Sequence, residues 1–237
     1  MFGLGYFGYL LFMLPALALG IFAQIKVKTS FNRFSRVASK KGITGADAAR
    51  AVLNAGGVYN VAVGHVRGDL TDHYDPKNNQ IMLSDPVYSS TSVAAIGVAA
   101  HEAGHALQYA HGYSPIKLRA AIIPVCNIGS FLGPILIVIG AGMTYSEGVI
   151  PELGNLLYFG GIALFSAVAL FQLITLPVEL NASRRALRAL EGGSLLDKGE
   201  LKGAKSVLTA AALTYVAALV TSIMQILYYL SNFKRRK

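Results

Sequence analysis

Four long uncharged stretches alternate with polar segments along this chain. Residues 2–23, 120–144, 153–177 and 207–230 contain no Asp, Glu, Lys or Arg. Each is longer than the roughly 20 residues that a helix needs to cross the hydrocarbon core of a bilayer. The pattern therefore predicts four transmembrane helices. The first stretch lacks a basic leader and a clear cleavage site, so we expect a retained anchor and not a cleaved signal peptide.

The polar segment after the first stretch carries shorter patterns that indicate a small α/β element. Thr44, followed three residues later by an acid and then by an apolar run and glycine, predicts a capped helix over about 45–54. Residues 60–66 and 79–84 alternate in the way that short strands do, and the cluster at 75–79 is typical of a turn. We expect a strand pair that precedes the next helix.

That next helix covers the segment VYSSTSVAAIGVAAHEAGHALQYAHG. Gly112 suits its end. Its N-cap has several candidates, because hydroxyl side chains that can cap a helix occupy four successive positions, Ser89, Ser90, Thr91 and Ser92.

These patterns together predict a mainly α-helical polytopic membrane protein with a small α/β element outside the bilayer. The expected parts are an N-terminal anchor (1–25), a polar α/β region (26–119), a transmembrane hairpin (120–177), a polar helix (178–206), and a final span with a basic tail (207–237).

The distribution of Lys and Arg gives the orientation, because these residues stay preferentially on the cytoplasmic side. Residues 24–119 hold eleven of the 21 and residues 178–206 hold six, whereas the turn between the second and third spans holds only Glu147 and Glu152. The four basic residues at 234–237 oppose this assignment, but they are outnumbered. We expect both polar segments in the cytoplasm and the N-terminus outside.

Composition narrows the class of protein further. With 54% hydrophobic and 14% charged residues, the chain is too apolar for a soluble domain of its length. Its net charge of +9 favours contact with anionic lipid headgroups over nucleic acid, since no basic stretch is interleaved with aromatic residues. Cys126, the only cysteine, lies inside a predicted span, which excludes a disulfide framework and a thiolate metal site.

The sequence HEAGH at 101–105 holds the candidate chemistry. At about 100° per residue, His101 and His105 lie roughly 40° apart around a helix, on one face and one turn apart. This spacing suits two imidazole ligands of one tetrahedral zinc ion. Glu102 points elsewhere but can reach a water on the metal, so it is the candidate general base.

Small residues surround this motif and leave a second interpretation open. A metal site needs another backbone or a substrate to approach closely, which small side chains permit. The same composition also suits a helix that packs near the membrane without any metal. The small residues are Ala99, Ala100, Ala103 and Gly104.

A catalytic zinc of this class needs a third protein ligand. His111 would point about 240° away from His105 on an unbroken helix, so we exclude it. Glu179 is the better candidate, because Pro177 is expected to end the third span and start a new helix that fixes this carboxylate at the membrane rim. The alternatives are an ion pair of Glu179 with Arg184, or a third ligand from the strand side, among Asp72, His73 and Asp75. Glu191, Asp197 and Glu200 belong to a Gly-rich turn that would hold a metal loosely.

Two side chains before the second strand are candidates for stabilising an oxyanion. His73 or Tyr74 could donate to the oxygen of a tetrahedral intermediate if this strand edges the cleft. The Asp-Pro turn explains Asp75 without any catalytic role. His65, alone in a strand pattern, is expected to be structural.

Four motifs in order carry a resemblance to a known family. LTDHYDPKNNQIMLS, VAAHEAGHALQ, LPVELNASRRAL and GAKSVLTAAALTYVAALV resemble the YugP-type neutral zinc metallopeptidases of bacterial membranes. The resemblance implies a multi-pass protein of the bacterial cytoplasmic membrane with a zincin-like cytoplasmic element. It also implies a zinc endopeptidase of gluzincin type with one Zn²⁺ per chain, similar in logic to the HtpX-like quality-control proteases.

Mapped onto this chain, the family pattern implies ligands at His101 and His105 and a base at Glu102. Glu179 becomes the third ligand by analogy with other gluzincins. Asn181 and Ser183 stand where some relatives have an acid that orients a ligand histidine.

Three function classes remain distinct at this point. The first is a zinc endopeptidase at the membrane rim, whose protein or peptide substrate would add as a strand beside residues 79–84. The second is an intramembrane protease of the site-2 type, which requires the zinc helix to lie inside a span. The third is a membrane scaffold or transporter component without enzymatic activity, which retains the helix for packing or retains a zinc site.

The topology gives the first testable prediction. A single cysteine placed at Lys40 or Asn78 in a Cys126→Ala background should react with a membrane-impermeant maleimide only after the cells are opened, because these positions face the cytoplasm. Residue 152 on the opposite side is the matched control and should be labelled on intact cells. Labelling of Lys40→Cys on intact cells would contradict the predicted orientation.

Overall fold

The computed structural model of the chain describes residues 6–145 and 150–234. The described residues form helices α1 (Tyr6–Phe34), α2 (Gly45–Ala55), α3 (Asp85–Tyr88), α4 (Val93–Ala110), α5 (Ser114–Tyr145), α6 (Pro151–Gly192) and α7 (Lys198–Lys234), and strands β1 (Ala62–His65), β2 (His73–Asp75) and β3 (Gln80–Leu83).

Four of these helices are long and apolar enough to cross a membrane, in agreement with the four predicted spans. They are α1, α5, α6 and α7. Each helix continues beyond the uncharged stretch that predicted it, because charged residues that suit a helix follow or precede the apolar run. Residues 2–5 of the first predicted span, Glu147 in the predicted external turn and residues 235–237 of the basic tail lie outside the described residues.

The expectation that Pro177 ends one helix and begins another is wrong. Helix α6 runs without a break from Pro151 to Gly192 and contains Pro177 in its interior. A proline there removes one backbone hydrogen bond, a loss that long helices of membrane proteins tolerate when neighbouring groups compensate. The same helix therefore provides both a candidate span and the polar segment after it.

The chain divides into two compact units, and the first consists of the apolar helices. It comprises residues 1–21, 118–175 and 215–237. Here α5 and α6 pack closely through glycines: a Cβ at Gly140 would meet the backbone of Tyr158, and one at Gly161 would meet that of Gly133. Such small-residue contacts are typical of helices that pack inside a bilayer. Many large apolar side chains are exposed, Phe131 and Val138 among them, as expected of a surface that faces lipid.

The second unit holds the polar segments and the main hydrophobic core. It comprises residues 22–117 and 176–214. Thr44 caps α2 as predicted: its hydroxyl accepts from the backbone N–H of Asp47, whose carboxylate accepts from the backbone of Thr44. The Thr44 hydroxyl and backbone N–H both donate to the Asp47 carboxylate, and they hold the pKa of Asp47 below its usual range. The core between α2, the sheet and α4 contains the fully buried side chains Val52, Ile81 and Ile96.

The sheet differs from the predicted strand pair. It has three strands in the order β1-β3-β2, with β1 parallel and β2 antiparallel to β3. Because β3 is central, both of its edges are already hydrogen-bonded. The expectation that a substrate strand adds beside residues 79–84 is therefore wrong, and β1 and β2 are the edges of this sheet.

Helix α4 carries the HEAGH motif, and it packs against α2 and lies in close contact with α6. Ser92 is the N-cap among the four candidates, since its hydroxyl accepts from the N–H of Ala95, and Gly112 follows the helix with a positive φ of 66°. A Cβ on Gly104 would collide with the carbonyl oxygen of Ala182 in α6 and lie 3.0 Å from its carbonyl carbon. Only glycine allows the two backbones to approach this closely.

This contact predicts that Gly104→Ala separates the helices. We expect the variant to lose about 1–3 kcal/mol of stability, the usual cost of overpacking, and to bind less metal. Thermal unfolding in detergent and the zinc content of purified protein are the measurements. Gly160→Ala in α6 is the matched control, because a Cβ there meets no atom within 4 Å. Equal behaviour of the two variants would contradict the role assigned to Gly104.

Candidate metal centre

Two histidines of α4 and one carboxylate of α6 converge inside the second unit. One ligand atom each from His101, His105 and Glu179 lies within 4.8 Å of the other two. The Oε2 atom of Glu179 is 3.1 Å from His101 Nε2 and 3.5 Å from His105 Nε2. The His ring centroids are 4.7 Å apart and the ring planes nearly perpendicular, at 84°. The structure thus brings the predicted third ligand to the two histidines.

The donor set fits a zinc ion. Two ligand atoms that each lie about 2.05 Å from a tetrahedral metal are about 3.3 Å apart. The two separations from Glu179 Oε2, 3.1 and 3.5 Å, bracket that value. Two imidazoles with one carboxylate form a ligand set used by catalytic zinc sites, which leave a further position for water or substrate.

Gln108 fixes the protonation pattern of His105. The Gln108 side chain is completely buried, at 0% exposure, and its Nε2 donates to the carbonyl oxygen of Val178 at 2.8 Å. Because that carbonyl can only accept, the amide must turn its Oε1 towards His105 Nδ1, 3.0 Å away. The oxygen in turn requires a proton on Nδ1. Nε2 is then the nitrogen that faces Glu179, and it is the one that would give up its proton to a metal ion and offer its lone pair.

A second set of side chains orients His101 and ties the two helices together. His101 Nδ1 lies 3.0 Å from the Ser183 hydroxyl, so a metal at Nε2 leaves Nδ1 to donate to Ser183 Oγ. Asn181 Oδ1 accepts from Gln108 Nε2 at 3.0 Å and from Arg185 Nε at 2.8 Å. Hydroxyl and amide groups of α6 thus take the orienting role for which some relatives are expected to use an acid.

The electrostatics of the centre suit a cation. Glu179 is only 3% exposed, and a carboxylate at such a position is costly unless a positive charge compensates it. Burial acts to lower the pKa of His105, but the hydrogen bond to Glu179 and the charges of Glu102 and Glu179 outweigh it and raise the pKa. A metal ion must displace the resulting proton, so metal affinity falls as the pH falls.

Glu102 stands next to the ligands but outside the ligand group. It is partly exposed, and its carboxylate accepts no hydrogen bond in the described part of the chain. Its charge acts on His105. Such a carboxylate is available to exchange a proton with a water molecule beside the metal.

The strand-side competitors for the third ligand position have other partners. Both oxygens of Asp72 accept from Ser84, one from the backbone N–H and one from the hydroxyl. Asp75 accepts from the backbone of Lys77 in the predicted turn. Neither belongs to the ligand group found among the described residues, nor does His73.

The two candidate oxyanion stabilisers lie on β2. His73 is exposed, and its Nδ1 lies 2.7 Å from the carbonyl oxygen of Thr71. Tyr74 donates its hydroxyl to Asn79 Oδ1 at 2.9 Å, and its ring packs on Tyr109. Neither side chain is hydrogen-bonded to the ligand group in the described part of the chain.

The remaining histidines lie outside the ligand group. His65 Nε2 is 2.6 Å from Asp85 Oδ1, a contact that ties β1 to the start of α3. His111 follows α4, with Nε2 3.1 Å from the Gly56 carbonyl and Nδ1 3.0 Å from Arg185. Both positions agree with a structural role.

Gln108 is the site residue that the sequence reasoning missed. Its place three residues after His105, on the same face of a helix, was the available indication. The burial that makes it important depends on α6 and is not visible in the sequence pattern.

Comparison with known proteins places the chain in a family. A family described as "Putative neutral zinc metallopeptidase" matches residues 9–234. The chain is 45% identical over 226 residues to a protein named "Putative membrane protease YugP" from Bacillus subtilis (strain 168), covering 95% of this chain and 96% of that protein. No solved structure matches it. Together with the four apolar helices, these matches indicate a multi-pass membrane protein. The chain therefore belongs to the neutral zinc metallopeptidase family that these matches define.

Proposed function

We propose that this chain is a membrane-bound, zinc-dependent endopeptidase that hydrolyses peptide bonds of proteins or peptides at the cytoplasmic face of the membrane. The convergence of His101, His105 and Glu179 carries the proposal, with Glu102 next to the first ligand. The family description and the name of the relative support the class of reaction.

The roles of the residues follow from their chemistry. His101, His105 and Glu179 would hold one zinc ion, which when bound supplies Lewis acidity and lowers the pKa of water. Glu102 accepts a proton from the water whose oxygen attacks the peptide carbonyl carbon. It returns that proton to the amine nitrogen as the C–N bond breaks. Gln108 and Ser183 hold the two imidazoles in the tautomer and orientation that this requires.

The edge strand β2 is the proposed place for an extended substrate. It is a free edge of the sheet and packs against α4, whereas β3 is hydrogen-bonded on both sides. Substrate backbone that adds to β2 would run beside the helix that carries the histidines. Both oxyanion candidates on this strand already donate: the Tyr74 hydroxyl to Asn79, and His73 through Nδ1 to the carbonyl of Thr71. His73 would offer a second N–H, on Nε2, only as an imidazolium ion.

The two alternative functions have less support. An intramembrane protease of the site-2 type requires its zinc helix inside a span, and α4 is not one of the four candidate spanning helices among the described residues. A scaffold that retains α4 only for packing has no need for a buried carboxylate between two imidazoles, and one that retains a zinc site has no need for Glu102 beside the first ligand. The cytoplasmic location rests on the distribution of Lys and Arg, and a role in membrane-protein quality control rests on the resemblance to HtpX-like proteases.

Glu102→Gln should separate chemistry from metal binding. We expect hydrolysis of casein or a quenched fluorescent peptide to fall by about 100-fold or more, the usual contribution of a general base, with zinc content unchanged. Glu152→Gln, which removes an exposed carboxylate at the other end of α6, is the control and should keep full activity. Full activity in Glu102→Gln would contradict the mechanism.

Glu179→Ala tests the third ligand. Its zinc affinity should fall by more than the roughly 10- to 100-fold that loss of an outer hydrogen-bond partner costs. Glu179→Gln should lose less, because an amide oxygen can still coordinate. Competition with a chelator of known affinity measures the effect, and circular dichroism checks the fold. Unchanged affinity in Glu179→Ala, with a loss in His73→Ala, would move the third ligand to β2.

A further inference from the structure

A groove between the polar end of α6 and the beginning of α7 is lined by several positively charged side chains. It encloses about 630 Å³ and lies within the second unit. Five exposed cationic side chains line this basic groove: Arg184, Arg188, Lys198, Lys202 and Lys205.

Little negative charge compensates these five cations. Glu191 is the one acid among the described residues that line the groove. None of the five cations lies within 4 Å of a carboxylate oxygen of the described residues. The nearby acids have other partners: Asp197 pairs with Lys40 Nζ at 2.7 Å, and Glu200 accepts from the backbone N–H groups of Lys40 and Asp197.

The arrangement of the cations is unfavourable without an anion. Arg184 and Arg188 are four residues apart on one helix face, as are Lys198 and Lys202, and like charges at this spacing repel. Lys198 also stands at the first residue of α7, the end at which the helix dipole favours negative charge. A bound anion would offset both effects.

The groove also has an apolar part, which distinguishes it from a site for a free inorganic ion. Leu180 and Leu187 of α6 and Leu201 and Leu208 of α7 line it. Both helices continue from the groove into apolar candidate spans. A ligand that matches this surface carries a negative headgroup next to a hydrocarbon part.

We propose that the basic groove binds an anionic phospholipid. Its phosphate lies among the Arg and Lys side chains, and its glycerol and upper acyl chain cover the leucines. Each basic residue next to an anionic lipid surface contributes about 1 kcal/mol, which is a factor of about five in affinity. Ser183, which orients His101, also lines the groove, but none of the five cations belongs to the metal centre. Lipid binding can therefore be tested independently of the protease activity.

Native mass spectrometry of the full-length protein in detergent tests this site directly. Phosphatidylglycerol should bind at lower concentration than phosphatidylcholine with the same acyl chains. The double variant Arg188→Gln/Lys202→Gln should bind phosphatidylglycerol about 30-fold more weakly and lose the preference. The control Lys41→Gln/Lys77→Gln removes two exposed cations outside the groove and should bind as the wild type does. Unchanged zinc content shows that the variants are folded.

Three results would overturn the proposal. Equal binding of phosphatidylglycerol by the groove variant and its control would place the lipid elsewhere. Glycerol 3-phosphate that competes as well as the whole lipid would assign the groove to a free phosphate group. An acidic peptide that binds the groove while phosphatidylglycerol does not would assign it to a protein ligand.

Discussion

The backbones of α4 and α6 are in direct contact at Gly104 and Ala182, and the metal centre depends on that contact. The side chains of His101 and His105 are short, so α6 must lie this close for Glu179 Oε2 to come within 3.5 Å of both imidazoles. Gly104 lies between the two histidines in sequence, at a point where a Cβ would collide with the backbone of Ala182. A side chain at this position would widen the spacing of the ligands before it disturbed any of them directly.

This close packing also creates a buried polar network that fixes the orientation of the two imidazole rings and the partner of each Nδ1. The backbone carbonyl of Val178 orients the Gln108 amide, and that amide orients His105. The Gln108 Nε2 donates to the Val178 carbonyl, so its Oε1 is left to accept from His105 Nδ1. Burial strengthens such bonds and makes an unpaired group expensive, so the network stabilises one arrangement of the ligands. The cost of burying Glu179 is offset within the same network by the two imidazoles and, in the proposed function, by zinc.

Local patterns predicted much of this molecule, because they depend on neighbours in sequence. The four uncharged stretches, the capping box at Thr44 and the turn at Asp75 all correspond to observed structure. Glu179 was selected by a partly wrong argument, since Pro177 does not begin a new helix. The helix continues, and a residue two positions after the proline still reaches the histidines.

The order of residues along the chain is enough to show which residue types are available for the chemistry and on which helix face they stand. The spacing of His101 and His105 requires a common face, and the carboxylate of Glu102 must then point away from it. Three features depend instead on the packing of the folded chain: the central strand of the sheet, the burial of Gln108 against Val178, and the five cations along one groove. These features join residues that are distant in sequence, and their positions depend on how whole elements pack against one another, which the periodicity of a single element does not encode.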